Sequence, residues 1–150
     1  IIDMVSNDIA SHIAIRIAYF LMAYLMKNDI GRVTGADGGY IVGEDRYIPD
    51  VAFLSYDNHP EFTGAAYRPN SPDLAVEVVS SERGDENRVL TVKVANYTAA
   101  GSVVWVVRPE SQQIEIYAPG QPVRIYRSSD TLTQPDVLPD FQLKLSDVFK

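Results

Sequence analysis

The chain has 150 residues, is 46% hydrophobic, contains no cysteine and carries a formal net charge of -7. At this length one core buries roughly 70% of the surface that the unfolded chain exposes, so a single domain over residues 1–150 is expected. Without cysteine, disulfides and thiolate metal sites are excluded and a reducing, cytoplasmic setting is the expectation, while the acidic balance argues against tight non-specific binding along a phosphate backbone.

The sequence begins at Ile1 rather than Met, so an upstream segment is expected to be missing, and no secretory signal is legible. Ser6-Asn7-Asp8 offers an N-cap to a stretch in which Ile9, Ile13, Ile17, Leu21 and Leu25 recur every four residues, broadened by Phe20 and Tyr24. This spacing predicts a long amphipathic helix that stops near Asn28-Asp29, with Gly31 supplying a left-handed end. Arg16 interrupts the longest apolar run, Ile9 to Met26, so no membrane span is expected. Gly35 and Asp37-Gly38-Gly39 then punctuate two short strands, Arg32 to Ala36 and Tyr40 to Val42, which read as a hairpin.

Tyr47 to Ser55 is rich in β-formers, and Asp57 to Pro72, with Pro60, Gly64, Pro69 and Pro72, reads as a surface loop. Leu74 to Val79 is apolar except for Glu77, the pattern of a central strand covered on both faces. From Glu82 to Ala100 an acidic first turn, Val89, Lys93 and Tyr97 on one face and a closing Gly101 predict a second helix. Val103 to Val107, Gln113 to Tyr117 and Val123 to Tyr126, separated by Pro109-Glu110-Ser111 and Pro119-Gly120, continue the sheet as a meander. Phe141 to Leu145 reads as a last short strand, and Ser146 as the cap of a terminal turn in which Val148 and Phe149 dock.

Chemistry concentrates around Glu77. Side chains alternate along a strand, so Asp73, Ala75, Glu77 and Val79 share one side and Leu74, Val76 and Val78 the other. An unpaired ionised carboxylate among such apolar neighbours costs several kcal/mol, so Glu77 needs a cation, an arginine or a metal. Asp50, entering the preceding strand after Pro49, is the matching co-ligand. Two carboxylates with a backbone carbonyl and waters make an oxygen-only site suited to Mg²⁺ or Mn²⁺, which can bind a phosphodiester oxygen and activate water. Lys93 on the following helix can reach the same point, with Tyr97 one turn further along that face.

Plainer readings stand beside these. Asp50 and Glu77 can pair with Arg46, Arg68 or Arg88; Lys93 taken alone is more often solvated; Asp73 can cap a turn; His12 can be a packing or surface group. Tyr97 and Trp105 are large apolar residues whose first role is packing, and His59 receives no role. The Gly35 to Gly43 segment lacks the lysine and hydroxyl of a phosphate loop, Asn96-Tyr97-Thr98 matches a glycosylation acceptor by letters only, and no zinc motif or nucleophile elbow is present.

Ile48-Pro49-Asp50-Val51-Ala52-Phe53, then Pro72-Asp73-Leu74-Ala75-Val76-Glu77-Val78-Val79-Ser80, then Lys93 with Tyr97, Gly101 and Trp105-Val106-Val107, and finally Leu138-Pro139-Asp140-Phe141 follow one another in an ordered signature. In order and spacing this resembles the Uma-type endonucleases of bacteria, a branch of the PD-(D/E)XK, restriction endonuclease-like superfamily, over nearly the whole chain. The resemblance implies an α/β (α+β) fold, a mixed sheet flanked by helices, to which the meander is added. It implies Asp50, Glu77 and Lys93 as catalytic residues, and Asp50, Glu77 and the Val78 carbonyl as ligands of Mg²⁺ or Mn²⁺. Val79 stands where the superfamily motif has its lysine, and Lys93 sits where this branch supplies the replacement. Asp73, Tyr97 and His12 are the supporting candidates, and a glutamate upstream of the first helix would lie before Ile1.

The function expected is a Mg²⁺-dependent endonuclease acting on DNA, bound weakly and in a salt-sensitive way. Arg108, Arg124 and Arg127 would supply a basic rim and a homodimer a groove. The alternatives are a catalytically silent interaction domain that keeps the fold, and a nuclease acting on RNA or structured DNA.

Overall fold

The computed structural model describes residues 7–81 and 84–150; Ser6 and Glu82, assigned to helix starts from the sequence, lie outside them. Helix α1 (Asp8–Lys27) begins where the Asn7 side chain accepts the Ala10 N–H at 2.8 Å. Its buried residues, Ala10, Ile13, Ile17, Leu21 and Leu25, form one stripe at helical spacing. As expected, the helix runs on past Arg16, whose Nε donates to the Asp147 carbonyl at 2.8 Å. Against the expectation that Arg16 rules out a membrane span, α1 is by length and composition alone apolar enough to cross one.

Gly31 is not the left-handed terminator the sequence suggested. It opens strand β1 (Gly31–Thr34), where a Cβ would overlap the Leu54 carbonyl oxygen and the Phe53 ring, so close strand approach is what requires glycine. The expected hairpin is also absent. β1 pairs antiparallel with β4 (Val51–Ser55), whereas β2 (Gly39–Val42) pairs antiparallel with β3 (Asp45–Tyr47) and parallel with β5 (Tyr67–Arg68). The tight turn falls between β2 and β3 at Gly43, whose φ of 63° suits a two-residue connection, and the glycines at 35, 38 and 39 carry the chain from one sheet to another.

Strand β6 (Leu74–Val78), helix α2 (Gly84–Ala99) and strand β7 (Val103–Arg108) form a crossover unit with β6 and β7 parallel. β8 (Gln113–Tyr117) and β9 (Arg124–Tyr126) extend it as the expected meander, giving a mixed sheet in the order β1-β4-β6-β7-β8-β9. Strand β10 (Thr131–Gln134), which the sequence did not suggest, pairs with β11 (Leu138–Lys144). A final short helix α3 (Leu145–Val148) buries Val148, but its N-cap is Lys144 without a side-chain bond, so Ser146 lies inside the turn rather than capping it.

The main sheet separates two cores. On one face α1 and the β10–β11 pair cover Val51, Phe53, Leu74, Val76, Val78 and Trp105. On the other, α2 covers Ala52, Leu54, Ala75, Val104 and Val106 through Leu90 and Tyr97. Trp105, fully buried, donates its indole N–H to Gln134 at 2.9 Å, which satisfies a polar group that would otherwise cost about 1–3 kcal/mol.

Candidate active site

The β4–β6 register brings the two carboxylates together. Val51 pairs with Val76 in an antiparallel ladder, so one step further Asp50 stands opposite Glu77 on the face covered by α2. Directly opposed Cβ atoms of such a pair lie about 5 Å apart. The Asp50 N–H donates to the Val76 carbonyl at 3.1 Å, and its Oδ2 accepts the Val78 N–H at 2.7 Å. The side chain thus continues the ladder at the end of β4 and is fixed in orientation. Burial raises the Asp50 pKa, opposed by the Val78 hydrogen bond and the Lys93 charge.

Glu77 is 8% exposed. Burial pushes its pKa up to about 7, the Lys93 charge opposes this, and the neighbouring Asp50 carboxylate adds to it. Lys93 and Tyr97, four residues apart on α2, project from one helix face toward the same carboxylate. Lys93 Nζ lies 3.8 Å from Glu77 Oε1, and the Tyr97 hydroxyl donates to Oε2 at 3.4 Å. Burial and the Glu77 charge push the Tyr97 pKa far up, so its phenol remains a neutral donor.

Residues that the sequence reading passed over complete the surroundings. The Tyr47 ring lies 5.7 Å from Lys93 Nζ and 5.2 Å from the Tyr97 ring, and its hydroxyl accepts the Asn96 amide at 2.7 Å. A cavity of about 70 Å³ beside Glu77 and Lys93 is also lined by Glu86. Glu86 accepts the Ser80 and Ser81 N–H groups at 3.2 and 3.3 Å, tying the first turn of α2 to the end of β6. The acidic first turn was the one signal for Glu86; nothing local could point Tyr47 at Lys93.

Two sequence candidates stand elsewhere. Asp73, at the opposite end of β6, accepts from the Ser55 N–H and hydroxyl and from Asn58, and lies 3.4 Å from His59. Four residues of strand put it about 13 Å from Glu77 along β6, out of reach of a shared ligand. His12 is exposed on α1, across the sheet from Glu77. His59, buried, accepts the Arg68 Nε–H on Nδ1 at 2.7 Å, which leaves Nε2 to donate to the Ser71 carbonyl at 3.0 Å.

The arginines offered as structural partners are engaged differently. Arg46 lies over the Tyr67 ring, Arg68 binds His59 and the Glu61 carbonyl, and Arg88 pairs with Asp85. Arg108, assigned to a basic rim, is drawn to Glu115 at 3.0 Å and Asn87 at 3.2 Å, which removes much of its charge from that rim. Beside α2 it helps line a larger cavity of about 210 Å³ that holds no carboxylate pair.

Among the described residues no cluster of three or more His, Cys, Asp or Glu is arranged to hold a metal. The donor set at hand is Asp50, Glu77 and main-chain oxygen, which suits a hard divalent cation that keeps several waters better than it suits zinc. A cation there would also relieve the repulsion between Asp50 and Glu77 that contributes to the raised Glu77 pKa.

The family model Uma2, described as "Putative restriction endonuclease", matches residues 1–146. A solved structure described as a putative nuclease belonging to DUF820, from Anabaena variabilis ATCC 29413, superimposes with a TM-score of 0.85 at 17% identity. That match covers 99% of this chain and 84% of the other. At that identity the likeness establishes the fold. No curated protein matches the chain.

Proposed function

The chain belongs to the Uma2 family, whose model is described as a putative restriction endonuclease, and from that membership we propose that it is a Mg²⁺- or Mn²⁺-dependent endonuclease acting on DNA. The observation that carries the proposal is the buried Asp50–Glu77 pair with Lys93 Nζ 3.8 Å from Glu77. Asp50, Glu77 and the Val78 carbonyl would hold the metal, which when bound supplies Lewis-acid stabilisation at phosphorus and an acidified water.

The roles of the chain's own groups follow from their positions. The Val78 N–H holds Asp50 in place, the Tyr97 hydroxyl orients Glu77, and Lys93, backed by the Tyr47 ring, offers positive charge to the oxygens on which negative charge develops. Asp73 and His12 take no part in this proposal. A net charge of -7 supports weak, salt-sensitive binding rather than a tight non-specific complex.

The test is nicking of supercoiled plasmid at low salt with Mg²⁺ or Mn²⁺, beside a chelator control and Glu77→Ala. Metal-dependent nicking that Glu77→Ala abolishes is expected. Metal binding without cleavage of duplex DNA, but with cleavage of RNA or branched DNA, would move the substrate class. Absence of both cleavage and metal binding would leave a catalytically silent module that keeps the fold.

A further inference from the structure

The outer side of α1 is apolar although nothing among the described residues covers it. Ile15 is 68% exposed, Tyr19 63%, Met22 46% and Met26 81%. Ile15, Tyr19, Met22 and Met26 recur at spacings of four, three and four, the repeat that keeps one seam facing a neighbouring helix. Ala18 and Ala23 flank the seam and permit close approach. This stripe lies opposite the Ile13, Ile17 and Leu21 stripe already docked on the sheet, so core packing does not account for it.

We propose that this face is a self-association surface, on which a second copy of the chain lays its own α1 antiparallel about a twofold axis. The antiparallel seam sets Ile15 against Met26 of the second copy and Tyr19 against its Met22, so the same four side chains are used on both sides, as a twofold contact requires. It also sets the two helix dipoles in opposition.

Area and charge favour a second copy over a lipid surface. From their fractional exposures, these four side chains present on the order of 500 Å², within the range of the largest patch a monomer ordinarily shows. Two copies would therefore remove about 1,000 Å² from water, the least that a specific interface needs. The chain carries -7 overall, which anionic lipid repels, yet no acidic residue occurs from His12 to Lys27, so two copies meet here without like-charge repulsion. Arg16, the one charged residue between His12 and Lys27, is turned onto Asp147.

The arrangement also places the chemistry. Asn7 Nδ2 donates to the Ser80 carbonyl at 2.8 Å, which puts the α1 N-terminus at the end of β6 that bears Glu77. In this register the two N-termini stand about 37 Å apart along the helix axes, so each copy keeps its own carboxylate pair and association is separable from catalysis.

Sedimentation velocity from low to high micromolar concentration tests this directly. A species of twice 16.7 kDa is expected, and Tyr19→Glu with Met22→Glu should raise its dissociation constant at least about tenfold without lowering the melting temperature, since both positions are exposed. In this cysteine-free chain, Ile15→Cys combined with Met26→Cys should cross-link two copies on mild oxidation, and Ile15→Cys alone should not. A single-chain mass throughout, or a folded double-glutamate variant that still dimerises, overturns the proposal. Cross-linking by Ile15→Cys alone overturns the antiparallel seam. Flotation of a monomer with lipid vesicles would overturn it by assigning the face to a membrane.

Discussion

Glu77 holds its proton to an unusually high pH, and this has a thermodynamic consequence in the metal-free protein. Between the ordinary carboxylate value of 4.5 and about 7, the folded chain binds a proton there that the unfolded chain has released. Folding stability contributed by this group therefore falls as pH rises through that window and is level above it. Glu77→Gln is predicted to stabilise the metal-free protein at pH 8 by up to about 3 kcal/mol, a gain that disappears toward pH 4.5. Urea denaturation at the two pH values measures it, and an equal gain at both would show that Glu77 does not carry the titration. Added Mg²⁺ should raise the melting temperature of the wild type at pH 8 and leave Glu77→Gln unmoved. At Lys93, substitution by Met keeps much of the stem and removes the charge. Nicking should fall by about a hundredfold or more, and the Glu77 pKa should climb further, read by carboxyl NMR titration. Retained nicking would exclude Lys93 from the chemistry. Asp50, Glu77 and Lys93 were legible as candidates because each lies in a recognisable local pattern. Tyr47, Glu86 and Asn96 were not, because what makes them neighbours of the site is the docking of separate elements.

At the scale of elements, local pattern and partner choice separate. The four-residue apolar repeat of α1 and the nearly unbroken apolar run of β6 predict a helix and a central strand, and both form. Strand existence near Gly31 and Gly39 was also legible, but their pairing was not, since a strand takes the partner that best covers its faces rather than its sequence neighbour. Gly31 carries that lesson. Gly31→Ala is predicted to destabilise by about 2–4 kcal/mol through overlap with Leu54 and Phe53, shifting the denaturation midpoint. A midpoint unchanged by the substitution would mean that β1 and β4 do not approach this closely. β10 escaped notice because Thr131–Gln134 alternates over only four residues and gains its meaning from β11 and from the Trp105–Gln134 bond.

For the molecule as a whole, the mixed sheet assigns the two helices to different tasks. α1 and the β10–β11 pair build the larger apolar core on one face, while α2 brings Lys93 and Tyr97 to the carboxylates on the other. The acidic balance then bears on binding. Affinity for duplex DNA, followed by fluorescence anisotropy, is predicted to fall as salt rises, with a shallow log–log slope that corresponds to only a few neutralised phosphates. Affinity indifferent to salt would rule out a phosphate-led contact.

The sequence by itself determined what is local: the long helix, the central strand with one carboxylate in it, the crossover helix, the meander and the family signature. Each depends on periodicity or turn chemistry within a few residues. Only the tertiary structure decided that Asp73 bonds Ser55 and Asn58 beside His59, that Arg108 pairs with Glu115, and that the Tyr47 ring lies against Lys93. These depend on register and layer packing, where a shift of one residue moves a side chain to the other face, and no local pattern encodes which distant element will stand opposite.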